Sequence, residues 1–125
     1  MKVYGIANCT TVKKARAWLD AHRVPYEFVD FKKSSPSPAE LARWVEGLGW
    51  ETVLNRRGTT WRTLPQDVQA RVRDARSATD VMLANPSSIK RPIVELGDDL
   101  LIGFDEAEYA ARLARRHAVG AGRGS

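Results

Sequence analysis

At 125 residues, 43% hydrophobic and 28% charged, the chain is long enough for one packed core and too apolar for a disordered segment. Twenty basic against fifteen acidic residues leave a net charge of +5, but the basic residues are scattered, with no aromatic-flanked reading motif, so nucleic acid is not an expected partner. The only cysteine, Cys9, rules out an internal disulfide and the Cys-rich zinc frameworks, and a reducing cytoplasmic setting is expected.

Lys2 to Ile6 is a short apolar run suited to a buried strand, and Asn8-Cys9-Thr10-Thr11 is a turn of helix-starting residues. From Val12 the apolar positions recur at three and four residues through Leu19, predicting an amphipathic helix to about His22. After Pro25, the stretch Tyr26 to Phe31 alternates as a second strand would. Strand, helix and strand in this order predict a parallel pair with a right-handed crossover. Ser37-Pro38-Ala39-Glu40 combines a capping box with proline at the first helical position and starts the next helix, which Gly47 and Gly49 end. Glu51 to Leu54 reads as a short helical turn, and Arg56 to Arg62 as an irregular polar loop containing Trp61. Pro65 to about Arg76 and Asp80 to Ala84 read as helices, the second stopped by Asn85-Pro86. Ile93 to Leu96 and Leu100 to Ile102, joined by Gly97-Asp98-Asp99, form a hairpin. Asp105, with Glu108 three residues on, caps a last helix running to about His117. The order is β-α-β, a helical insert, then β-β-α. It fits an α/β, thioredoxin-like mixed four-stranded sheet with the insertion between the two halves. The expected single domain covers residues 1–119, with the insert at about 37–84 and a flexible tail at 120–125. No apolar run approaches the ~20 residues of a membrane helix, and Asn8, Lys13 and Lys14 come too early for a signal peptide.

A lone cysteine is often just a small buried hydrophobe. Cys9, however, stands at the exit of a strand and the mouth of a helix, where free backbone N–H groups and the helix dipole favour thiolate over thiol. Asn8, Thr10 and Thr11 surround it with polar groups of little bulk. Val12 occupies the position a Cys-x-x-Cys dithiol would need, so disulfide chemistry at Cys9 must be monothiol, with an external thiol resolving the adduct. Glutathione is the obvious cytosolic supplier. Arginine holds a carboxylate or tetrahedral oxyanion through two parallel hydrogen bonds and keeps its charge. Arg56 and Arg62 taken alone read as solvated surface charge. Arg91 is different because Arg91-Pro92 opens an apolar strand, marking a fixed bend at the sheet edge. His22 and His117 each fall near a helix end with no companion ligands at metal spacing, so no metal is expected.

Three separated motifs carry a resemblance. Tyr4-Gly5-Ile6-x-Asn8-Cys9-x-Thr11-Val12-Lys13-Lys14-Ala15, Arg57-Gly58-Thr59-Thr60-Trp61-Arg62 and Asn85-Pro86-Ser87-x-Ile89-Lys90-Arg91-Pro92-Ile93 resemble the arsenate-reductase-like (ArsC/Spx) family, most closely its YffB-type branch of small thiol reductases. The resemblance covers about residues 2–117. It implies a thioredoxin-like fold and attack by the Cys9 thiolate on an oxyanion or disulfide. Glutathione is the implied co-substrate, with glutaredoxin completing the cycle, and no tightly bound cofactor is expected. It also implies a cis Arg91–Pro92 bond that brings Arg91 near the Cys9 sulfur, with Arg57 and Arg91 holding the incoming anion. The arsenate reductases proper carry a catalytic arginine at a position that falls here on Asn55, Arg56 or Arg57. A later arginine of theirs meets Gly103-Phe104-Asp105. The loss of that clamp favours a general glutathione-dependent thiol reductase over a true arsenate reductase. The alternative is an Spx-like regulator that binds RNA polymerase without turnover; Spx proteins usually carry Cys-x-x-Cys, which Val12 interrupts.

Overall fold

The computed structural model describes residues 1–113. Strands β1 (Lys2–Gly5), β2 (Glu27–Asp30), β3 (Ile93–Leu96) and β4 (Asp99–Ile102) form one sheet in the order β2-β1-β3-β4. β1 pairs parallel with β2 and antiparallel with β3, and β3 pairs antiparallel with β4, so the sheet is mixed as expected. Helix α1 (Thr10–Ala21) makes the β1–β2 crossover. Helices α2 (Pro38–Leu48), α3 (Trp50–Val53), α4 (Thr59–Thr63), α5 (Gln66–Arg71) and α6 (Ala75–Ala84) form the insert, and α7 covers residues 106–113. The expected continuation of α7 to His117 and the tail at 120–125 lie outside the described residues.

Alternation along the strands divides the core into two layers, one on each face of the sheet. Val3, Val94, Leu96 and Leu101 face α1 and α7, where they meet Ala15, Trp18, Leu19, Tyr109 and Leu113. Tyr4 and Ile93 face the insert and meet Leu41, Trp44, Val53, Ala78 and Met82. With both faces covered, β3 reads as a nearly continuous apolar run. Gly5 lets β1 and α1 approach closely, since a Cβ there would lie 2.8 Å from Val12 Cγ2.

Three local expectations change. The stretch read as an irregular polar loop contains α4, whose Trp61 packs against the insert-side core; Gln69 Nε2 donates to the carbonyls of Trp61 (2.8 Å) and Leu64 (3.1 Å) and closes its end. The helix expected from Pro65 to about Arg76 stops at Arg71. Asp74 then caps a new helix beginning at Ala75, well before the expected start at Asp80. A reciprocal capping box, Ser77 N–H to Asp74 Oδ1 (2.9 Å) and Asp74 N–H to Ser77 Oγ (3.1 Å), makes that break. Finally, β3 lies inside the sheet, so the Arg91-Pro92 bend sits at the end of a central strand and not on a sheet edge. Pro92 loses no ladder bond at that position, and its carbonyl accepts from Gly103 N–H at 2.9 Å.

Candidate active site at the mouth of helix α1

Cys9 is the N-cap residue of α1, with extended backbone angles (φ −88°, ψ 130°). Its N–H donates to the Ile6 carbonyl (3.0 Å) and its carbonyl accepts the first helical bond from Lys13 (2.9 Å). These bonds fix the chain on both sides of the thiol. The neutral side chain makes no capping hydrogen bond. A thiol is a weak acceptor, whereas a thiolate at the same place meets donors on several sides. Burial pushes the Cys9 thiol up, but the Val12 N–H, the Arg91 guanidinium, the Thr11 N–H and the Arg91 charge together hold it below the ordinary thiol range. Cys9 is half-buried, so the sulfur is both activated and reachable.

Arg91 is positioned by the Asn-Pro-Ser turn before it. Ser88 N–H and Oγ both donate to the Asn85 carbonyl (2.8 and 2.6 Å), and the Ser88 carbonyl accepts from Asn55 N–H (2.8 Å). The turn presents the Ser87 and Ile89 carbonyls to Arg91 Nη1, at 2.7 and 3.4 Å. The Arg91–Pro92 bond is cis, as the resemblance implies. Arg91 Nε is buried with no partner among the described residues. The guanidinium is thus anchored through Nη1.

Cys9 and Arg91 open into one cleft of about 470 Å³, lined also by Thr11, Asn55, Lys90 and the segment Ile102 to Asp105. Of the other residues singled out from sequence, Asn8 and Thr10 are exposed and outside this lining, and Pro92 is buried behind it. Arg57 lines an adjoining cleft of about 430 Å³ together with Arg56, and its N–H donates to Asn55 Oδ1 at 3.1 Å. Of the three positions left open at the catalytic-arginine site, Asn55 is therefore the one that reaches the Cys9 cleft. Sequence reasoning gave no role to Lys90. Its signals are its place in the third motif, beside Arg91, and its being the only lysine after Lys33 in a chain with fourteen arginines. His22 is far from this chemistry by function, ending α1 with its ring stacked on Trp18 (centroids 3.9 Å apart) and Nδ1–H donating to the Trp18 carbonyl at 2.8 Å.

A parallel β-α-β unit and an antiparallel hairpin, with one cysteine at the cap of the first helix, define a thioredoxin-like fold. The ArsC family pattern matches residues 4–112, and the chain belongs to that family. The solved structure of the YFFB protein is 49% identical, with a TM-score of 0.85 over 88% of this chain and 96% of that one. An arsenate reductase (ArsC) related protein from Brucella melitensis is 47% identical, with a TM-score of 0.71 over 90% of this chain and 92% of that one. The global transcriptional regulator Spx of Streptococcus agalactiae is 32% identical over 110 residues, covering 86% of this chain and 79% of its own. Among the described residues, no helix is long and apolar enough to cross a membrane.

Proposed function

We propose that the chain is a glutathione-dependent monothiol reductase with Cys9 as nucleophile and Arg91 as the residue that stabilises the thiolate and holds the incoming anionic group. The observation that carries this reading is the convergence of the α1 amides and the Arg91 guanidinium on one half-buried sulfur that lines a cleft. In the forward step the Cys9 thiolate attacks the glutathione sulfur of a mixed disulfide. The S–S bond breaks, the substrate leaves as a thiolate that takes a proton from solvent, and Cys9 is left disulfide-bonded to glutathione. A second glutathione thiolate then attacks the glutathione sulfur of that adduct, releasing oxidised glutathione and restoring the Cys9 thiolate. The same nucleophile suits a tetrahedral oxyanion of the arsenate type, for which Arg91 supplies a fixed positive charge. Glutaredoxin is a proposed resolving partner, and the cytoplasm the proposed compartment.

The test is the rate of Cys9 alkylation against pH, with and without glutathione, alongside thiol-transfer activity in Cys9→Ser. The expected midpoint lies below the ~8.5 of a free thiol, oxidised glutathione protects Cys9 by forming a mixed disulfide, and Cys9→Ser is inactive. A midpoint at or above that value, or an active Cys9→Ser protein, overturns the mechanism. The similarity to Spx favours a second reading, in which the chain binds RNA polymerase without turnover. In that case Cys9→Ser still captures polymerase subunits and the wild type transfers no thiol.

A further inference from the structure

The Cys9 cleft and the cleft beside it share two lining residues, Asn55 and Lys90. The Lys90 backbone is rigidly placed: its N–H donates to the Val53 carbonyl (2.8 Å), and Ile89 before it bridges to Leu54. Its side chain runs over Gly103. A Cβ on that glycine would stand 3.3 Å from Lys90 Cε and 3.9 Å from Nζ, so the missing side chain leaves the lane that Lys90 occupies. Gly103 also has φ +69°, a conformation that resists a bulkier residue.

The neighbouring charged groups have partners of their own. Arg91 is directed at Cys9, and the Glu51 carboxylate is 3.6 Å from Arg56. Asp105, the carboxylate lining the same cleft, accepts the Glu108 N–H at 3.1 Å as the cap of α7. Among the described residues Lys90 takes part in no salt bridge. An ammonium in no salt bridge, at the junction of two clefts and in the same lining as the Cys9 sulfur, is suited to a carboxylate carried by the molecule that reacts there.

We propose that Lys90 receives a carboxylate of the molecule that reacts at Cys9, so that the site selects peptide thiols bearing a free carboxylate over neutral thiols. This rests on the thiol-transfer reading above and names the specificity residue of that site.

Two measurements separate the inference from that reading. In the first, Cys9 is alkylated at one pH by iodoacetate and by iodoacetamide, which differ by a single carboxylate. Lys90→Gln is expected to lower the ratio of the two rates about fivefold, the scale of one near-surface charge pair. The iodoacetamide rate stays unchanged, because a change in the thiolate itself would move both rates together. Lys90→Arg retains most of the ratio. In the second, the Cys9 mixed disulfide is resolved by glutathione or by 2-mercaptoethanol. Lys90→Gln is expected to raise KM for glutathione about fivefold with kcat little changed, and to leave 2-mercaptoethanol kinetics as in the wild type. An alkylation ratio in Lys90→Gln equal to that of the wild type overturns the proposal. If the ratio depends on Lys90 while glutathione gives no turnover even with the wild type, the carboxylate-receiving role of Lys90 stands and the thiol-transfer reading falls.

Discussion

Arg91 acts in two directions at once. Its Nη1 donates to the Ser87 and Ile89 carbonyls, which fixes the side chain, while the guanidinium charge favours the Cys9 thiolate. Arg91→Ala removes a hydrogen bond and a charge from the anion, so the Cys9 pKa rises toward the free-thiol value. Under the proposed mechanism thiol transfer then falls roughly tenfold or more, the scale implied by losing a charge-assisted bond of roughly 1.5–3 kcal/mol. Arg91→Lys keeps the charge and loses the planar fork, so an intermediate alkylation midpoint and weakened transfer are expected. The pH dependence of iodoacetamide alkylation measures both variants. A wild-type midpoint in Arg91→Ala would leave the α1 amides as the sole activator.

Helix α1 carries Cys9 at one end and is closed at the other by a turn with an unusual residue in it. Val24 N–H donates to the Leu19 carbonyl (2.9 Å) and Arg23 N–H to the Asp20 carbonyl (3.1 Å), the paired bonds of a Schellman closure. Arg23 takes the left-handed position, with φ 58°, where glycine is usual. Val24 and Leu19 then meet in the same core layer, which holds the closure in place despite the strained residue. Arg23→Gly is expected to stabilise the protein by about 0.5–1 kcal/mol, less than the full left-handed penalty because glycine also frees the unfolded chain. A urea midpoint no higher than the wild type would show that the surrounding contacts already relieve the strain. Helix α2 begins with more conventional chemistry: Ser37 and Glu40 exchange bonds at 2.9 and 3.1 Å. Glu40 also lies 3.1 Å from the Tyr4 hydroxyl on β1, whose single proton it shares with Glu95 (3.0 Å), so the same residue caps the helix and docks it on the sheet.

The insert is joined to the sheet as a whole around Glu95. This β3 carboxylate accepts from Arg43 Nη2 and Trp44 Nε1, both at 2.8 Å, and from the Tyr4 hydroxyl at 3.0 Å. Burial alone would push Glu95 up, yet the bonds from Arg43, Trp44 and Tyr4 and the Arg43 charge hold it below the usual carboxylate range. Tyr4 is correspondingly pushed well above the usual phenol range, first by burial and then by its carboxylate neighbours. Because the folded pKa of Glu95 is depressed, its contribution is fully present above the unfolded value of about 4.3 and is lost as pH falls through the folded value. Glu95→Gln places an amide among donors and is expected to cost about 2 kcal/mol near pH 7, within the range for hydrogen bonds to a charged group. The gap to the wild type should close in acid, where Glu95 is protonated in both states. Urea unfolding at several pH values measures it, and a gap independent of pH would show that the charge of Glu95 does not matter.

Local chemistry was legible without coordinates. The three-and-four spacing after Cys9, the Ser37–Glu40 box, the Gly97 turn and the Asp105 cap each act within one turn of chain, so α1, α2, the hairpin and the start of α7 follow from neighbouring residues. Cys9 at the mouth of a helix was legible for the same reason. The helix at Thr59–Thr63 was not, because its polar residues mask a segment held by Trp61 in the core and by Gln69 eight residues away. The break at Asp74 was missed because the side chain of Ser77 competes for backbone bonds that would otherwise continue α5. At the site, sequence order alone could not choose among Asn55, Arg56 and Arg57, nor bring Lys90 over Gly103. The cleft is assembled from the start of α1, the end of α3, the approach to β3 and the exit of β4. Residues as far apart as Cys9 and Asp105 become neighbours only when both faces of the sheet are covered, and burial across that distance leaves no local pattern to read.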